Sequence, residues 1–173
     1  MGKKVKNNTQ KIPTVINDII SSFNGVSIDF KANNNWLKSN SRDNFTNYLS
    51  TDEEFGKNVF TILSKIIPMI QTEWDRIISG NISHCHRIDD AHKKIFKKYF
   101  SELYPQSNLD ELTVWQFGTS GGARLIASVT KEENGISIVR PLFIDYHHIV
   151  YPNKNHNQKD IYNYTFCPYR KYN

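Results

Sequence analysis

The chain has 173 residues, 38% of them hydrophobic and 13% aromatic, which is enough for one domain with a real core and too few for two comfortable ones. A net charge of +5 and a pI near 9.1 tilt it mildly toward anionic partners such as RNA or DNA, although a Lys- and Asn-rich chain from an AT-rich genome gives the same balance. Two cysteines without a CxxC pair, no apolar leader behind the basic first residues and no run of transmembrane length argue against a disulfide scaffold, a secretory signal and a membrane span; a cytoplasmic protein is expected.

Residues 1–10 read as a disordered basic tail, and 11–173 as a single α+β domain. Ile12, Val15, Ile16, Ile19, Ile20 and Phe23 recur at helical spacing up to Asn24-Gly25. Val26–Phe30 has strand character, and an Asn-rich loop comes next. From 41 to 104 the pattern is mainly helical. Ser41 can cap a short helix carrying Phe45, Tyr48 and Leu49. Thr51-Asp52-Glu53-Glu54 has capping-box spacing and an acidic first turn. Phe55, Val59, Ile62, Leu63, Ile66, Ile67, Ile70, Trp74 and Ile77 then form the longest apolar stripe, which Pro68 should kink or divide and Gly80 should stop. His84–Ile88 reads as extended. Asp89 or Asp90 caps a further helix, with Lys93, Lys94, Lys97 and Lys98 on its wetter face and Pro105 beyond its end.

Residues 112–151 read as sheet: strands over 112–117, 124–129 and 136–151, with a hairpin turn at Asn134-Gly135. The tail 153–173 is aromatic, and packing back on the sheet is expected over stacking on bases. The expected fold is therefore α+β, with N-terminal helices packed on a late three- to four-stranded antiparallel sheet.

Leu142–Pro152 is the most strand-like run and carries unusual polar residues. With alternating faces, Leu142, Ile144, Tyr146, His148 and Val150 point one way, and Phe143, Asp145, His147, Ile149 and Tyr151 the other. A two-residue turn at Asn134-Gly135 pairs Val129 with Arg140, Ala127 with Leu142, Leu125 with Ile144, and Arg124 with Asp145. The ordinary reading of Arg124 and Asp145 is a cross-strand ion pair. Together with His147 and Tyr151 they also supply what metal-free RNA cleavage needs: proton-transferring groups and a cation for the phosphorane. The candidate catalytic residues are Arg124 as electrostatic stabiliser, His147 as acid or base and Asp145 as orienting group, with His86, His148 and Tyr151 as auxiliaries. No cofactor is needed on this reading. The alternative is a divalent metal such as zinc held by His84, His86, Asp145 and His147.

Arg124-Leu125-Ile126 and the run Asp145-Tyr146-His147-His148 with Tyr151 resemble the late strands of the RelE/YoeB-type ribonuclease toxin superfamily, over about the last third of the chain. The resemblance implies a small cytoplasmic toxin that cleaves RNA, often mRNA on the ribosome, and is held by an antitoxin protein. On it, Arg124 would contact phosphate, and His147 or His148 and Tyr151 would move protons or stack on a base. The chain is also similar to small uncharacterised proteins of AT-rich bacteria or their mobile elements. The functional expectation is a metal-independent, toxin-type endoribonuclease. Its alternatives are a non-enzymatic protein- or nucleic-acid-binding protein of a mobile element or defence system, and a metal-dependent nuclease.

Overall fold

A computed structural model describes residues 25–31, 34–120, 122–152 and 160–173. The expected basic tail and the helix over Ile12–Phe23 lie outside them.

The sheet is built on the hairpin of β6 (Arg124–Lys131) and β7 (Ser137–Asp145). Its turn holds three residues, not two. Glu132 and Ile136 close the ladder through a 2.8 Å bond, the Gly135 amide donates to the Glu132 carbonyl, and Gly135 takes the left-handed conformation (φ 84°) that glycine adopts without strain. The longer turn shifts the expected register, so that Val129 faces Val139 and Ala127 faces Pro141. A bulge at Ile126/Ala127 then takes up Leu142 as the extra residue. Beyond it Leu125 faces Ile144, and Arg124 faces Asp145. Proline sits beside the irregularity, where the ladder loses least from its missing N–H.

Around the hairpin, β1 (Val26–Ile28), β4 (His86–Arg87) and β5 (Val114–Phe117) complete a sheet of order β1-β7-β6-β5-β4, with β1 parallel to β7 and the other pairs antiparallel. This corrects the expected fold class. The sheet is mixed and five-stranded, it takes a strand from each side of the helical region, and helices cover both of its faces.

One face presents Phe117, Leu125, Ala127, Val139 and Ile144 to Ile62, Ile66, Ile70, Trp74 and Ile77 of the long apolar stripe. Its first helix, α1 (Asp52–Thr61), begins as expected, with the Thr51 hydroxyl accepting the Glu54 amide. The Glu54 carboxylate reaches back to the Ser50 amide and hydroxyl, one residue beyond a standard capping box. The stripe then divides. A π turn over Ile62–Ile66 leads into α2 (Ile67–Thr72), where Pro68 occupies the first turn, and α3 (Trp74–Ile78) ends before Gly80 at φ 77°. Leu63, expected inside, is exposed.

The other face presents Val114, Ile126 and Phe143 to Phe96, Tyr99, Phe100 and Leu103 of α4 (Asp90–Leu103). Phe45 wedges between these layers, 5.3 Å from Phe143 and 4.7 Å from Tyr99 by ring centroids. The local spacing predicts a helix for its segment. The segment is instead a small hairpin of β2 (Ser41–Arg42) and β3 (Phe45–Thr46), turned at Asp43-Asn44 with Asp43 left-handed at φ 51°. The pocket for one aromatic ring overrides the helical spacing.

The expected strand over 136–151 stops at Asp145, so the alternation assigned to Tyr146–Tyr151 does not hold. His148 is left-handed (φ 56°), and residues 141–150 are buried throughout.

Because Phe143 is fully buried among three rings, Phe143→Ala should cost about 3–5 kcal/mol in urea unfolding. Phe60→Ala, on the exposed side of α1, should stay within about 0.5 kcal/mol.

Candidate functional site

Asp145 ends β7 and shapes the loop beyond it. Its carboxylate is fully buried and accepts three backbone amides: His147 at 3.2 Å, Ile149 at 3.1 Å and Val150 at 2.9 Å. Burial raises its proton affinity, while those amides and nearby His147 pull it back down. Both oxygens are committed to the backbone. Asp145 is thus the clamp of the 146–150 loop.

Arg124 faces Asp145 across the ladder, yet the two form no ion pair within 4 Å. Arg124 is only 4% exposed, its side chain lies across Gly118, and its Nη1 donates to the Gly122 carbonyl at 3.0 Å. A Cβ at Gly118 would collide with Arg124 Cδ and stand 2.7 Å from Nε. Gly118 therefore has no side chain because Arg124 occupies that space. Burial lowers the proton affinity of Arg124, and the charges of Asp145 and Cys85 oppose the shift.

The two adjacent histidines turn inward. His147 Nε2 donates to the Tyr48 carbonyl at 2.7 Å, and its ring lies beside Tyr164. His148 is buried as well. Arg124, Asp145, His147 and His148 are all buried, so the open four-residue face expected from strand alternation is not assembled. The expected metal set also fails to converge. His84 is left-handed (φ 66°) and exposed, Asp145 is sealed by amides, and His147 is tied to Tyr48. Among the described residues no three His, Cys, Asp or Glu side chains form a metal-holding group.

What the loop does bring together is a different set. Tyr151, delivered by the clamped segment, lies between His86 of β4 and His92 of α4. The His92 ring stacks on it at 4.0 Å, and the His86 ring meets it edge-on at 4.6 Å. Asp89 is the N-cap of α4 and accepts the His92 amide at 2.9 Å. The same carboxylate holds His92 Nδ1 at 2.7 Å. Since a carboxylate accepts, Nδ1 donates this bond. His86 Nδ1 similarly donates to the Arg87 carbonyl at 3.2 Å, leaving Nε2 to the Gln116 amide at 3.4 Å. Burial and the Asp89 charge both raise the proton affinity of the Tyr151 phenol.

Two imidazoles, each anchored through Nδ1, thus contact one phenol on a partly open surface. Of the expected site residues, His86 and Tyr151 are here. Asp89 and His92 were missed, although Asp-x-x-His at an N-cap forecasts this carboxylate–imidazole pair. His84, beside them, binds a proton less readily because of partial burial and the charges of Arg124 and His86.

The basic face of α4 is largely neutralised. Lys93 is buried and donates to the Leu112 carbonyl, Lys97 pairs with Asp110, and Lys98 pairs with Asp43. The aromatic residues of the tail contact loops and α1, not the sheet face expected, and Tyr162 and Tyr172 stay exposed. Tyr164 lies against His147, Tyr169 under the Lys38 ammonium, and Tyr172 against Phe55.

The family model described as "Uncharacterised protein UU032" matches residues 31–173, and the chain belongs to that family. It is similar to uncharacterized protein UU032 of Ureaplasma parvum serovar 3 (strain ATCC 700970), 32% identical over 179 residues that cover 100% of this chain and 97% of the relative. No solved structure matches. No helix among the described residues is long and apolar enough to cross a membrane.

This geometry predicts two outcomes. Gly118→Ala should cost about 1–3 kcal/mol by driving a Cβ into Arg124, and the cost should shrink in the Arg124→Ala background, a non-additivity read from a double-mutant cycle of urea midpoints. The His92 amide and ring hold the Asp89 carboxyl below the usual carboxylate range. A lowered folded-state value adds stability above the unfolded-state value and loses it as pH falls through the folded one. The stability gap between wild type and Asp89→Ala should therefore be full at neutral pH and narrow in acid.

Proposed function

We propose that this chain is a metal-independent endoribonuclease whose acid–base pair is His86 and His92. The observation that carries the reading is the pair of imidazoles against the Tyr151 ring, each anchored through Nδ1, with His86 Nε2 also held by the Gln116 amide. In the step this supports, His92 Nε2 takes the proton of a ribose 2′-hydroxyl as its oxygen bonds to phosphorus. His86, protonated at Nε2 once the Gln116 amide turns away, gives that proton to the departing 5′-oxygen as the phosphorus–oxygen bond breaks. The products are a 2′,3′-cyclic phosphate and a 5′-hydroxyl, with protons and electrons balanced and no metal required. Asp89 fixes one imidazole and stabilises it when charged, as an orienting carboxylate does in other acid–base sites. Arg124 contributes positive potential from behind the surface.

This reading keeps the toxin-type ribonuclease class that the late strands resemble, and moves its acid–base groups from His147 to His86 and His92. Its substrate is RNA, free or on the ribosome.

The test is purified chain incubated with total RNA and with mRNA-loaded ribosomes, with and without EDTA. Cleavage that survives EDTA, leaves 2′,3′-cyclic ends and falls by about 10²–10⁴-fold in His86→Ala or His92→Ala, at unchanged circular dichroism, is the expected result. Cleavage abolished by EDTA would transfer the activity to a metal. Absence of cleavage throughout would overturn the enzyme reading in favour of a non-catalytic binding protein.

A further inference from the structure

The outer side of the long helical stripe is left apolar. Phe60 is 69% exposed and Leu63 55%, one turn apart, and the partly buried Ile67 extends the line across the π turn. Single exposed apolar residues are ordinary, but a line of them on one helix face marks a contact surface. Gly56 begins the line, one turn before Phe60. Glycine inside a helix weakens it. A Cβ at Gly56 would meet nothing within 4 Å, so the bare backbone leaves room for a second helix to approach.

The chain outside the structure supplies a match. Residues 1–24 lead into Gly25 and β1, and β1 packs against α2, at the far end of this line. Only Asn24 and Gly25 separate Phe23 from β1, a reach of about 10 Å, so Phe23 stays close to α2. The sequence steps from Ile12 to Ile16, Ile19 and Phe23 equal those from Gly56 to Phe60, Leu63 and Ile67. Along a helix axis each line is about 16 Å long. Charge agrees with the same direction. Lys3, Lys4, Lys6 and Lys11 precede one line, and the acidic first turn of α1 precedes the other. Asp52 of that turn is taken by Lys171, whereas exposed Glu53 has no ion pair among the described residues.

We infer that residues 12–23 of this chain dock as a helix, parallel to α1, on the face from Gly56 to Ile67. Ile16 then covers Phe60, Ile19 covers Leu63, and Lys11 comes to Glu53. The stripe of 12–23 requires an apolar surface to bury its face, and this one is within reach of Gly25. The inference does not depend on the proposed reaction, because it uses no residue of the histidine cluster. Docking of one short helix opens and closes without global unfolding, so it is read in the native state and not from urea midpoints.

The experiment is cross-linking of the full chain carrying Ile16→Cys and Phe60→Cys with a short bis-maleimide at low protein concentration. Cys85 and Cys167 are buried, and the wild-type chain together with an Ile16→Cys/Lys94→Cys variant measures the background. Lys94 lies on α4, across the sheet. A link within one chain is expected, about tenfold or more above that background, because docking raises the effective concentration of one thiol at the other. Adding Leu63→Asp should cut the yield several-fold. Glu53→Lys should lower it at low salt, and Lys11→Glu combined with Glu53→Lys should restore it. A link that joins two chains instead would assign the face to a second copy and overturn the inference. A yield equal to the background, or one indifferent to Leu63→Asp, would overturn it as well.

Discussion

One carboxylate governs the working end of this molecule. Asp145 sits at the last position of β7 and takes the amides of His147, Ile149 and Val150, which would otherwise be buried without partners. Burying a carboxylate is costly unless donors replace its water, and three amides do so. The arrangement turns the chain sharply out of the sheet, seats Ile149 and Val150 in the core and delivers Tyr151 to the surface between His86 and His92. Without the clamp, the loop would carry unsatisfied backbone and Tyr151 would have no defined place. The residue that most resembles a catalytic carboxylate is thus a structural one, and the site depends on it at one remove.

The same end of the sheet explains where the polar groups gather. Arg124, Gly118 and Asp145 occupy adjacent strand ends, and the Arg124 side chain fills the volume that Gly118 leaves open. Beyond it, Thr119, Ser120 and Gly122 line a groove shared with Lys57 and Lys65. On one side of the sheet lies the cluster of His86, Tyr151 and His92; on the other lies a groove with Lys57 and Lys65, which no carboxylate pairs among the described residues. By contrast, α4 commits most of its lysines to local carboxylates and a backbone carbonyl. A net charge of +5 is therefore less informative than where its uncommitted members lie.

Much of the scaffold was legible because local chemistry and burial agree there. The Thr51 cap, the stop at Gly80 and the Asp89 cap each rest on a backbone requirement that only a few residue types meet, whereas the stripe is interrupted at Glu73 and not at Pro68. The β6–β7 faces were legible for a similar reason, since a slip by one would expose Leu125 and bury charge. The Arg124–Asp145 pairing came out as expected although the turn did not. A three-residue loop and a bulge at Leu142 displace the register in opposite senses and cancel before that pair is reached.

The sequence by itself determined the helix caps, the hairpin and the alternation of β6, because each is set by neighbours within a few residues. Only the tertiary structure decided the rest. Phe45 is drawn into a hairpin by a ring pocket built from α4 and β7, and β1 joins β7 across more than a hundred residues. The direction of His147 is chosen by the Tyr48 carbonyl, ninety-nine positions away in the chain. Strand alternation predicts a face only while the strand continues, and Asp145 ends it by offering the backbone better hydrogen bonds than a neighbouring strand could.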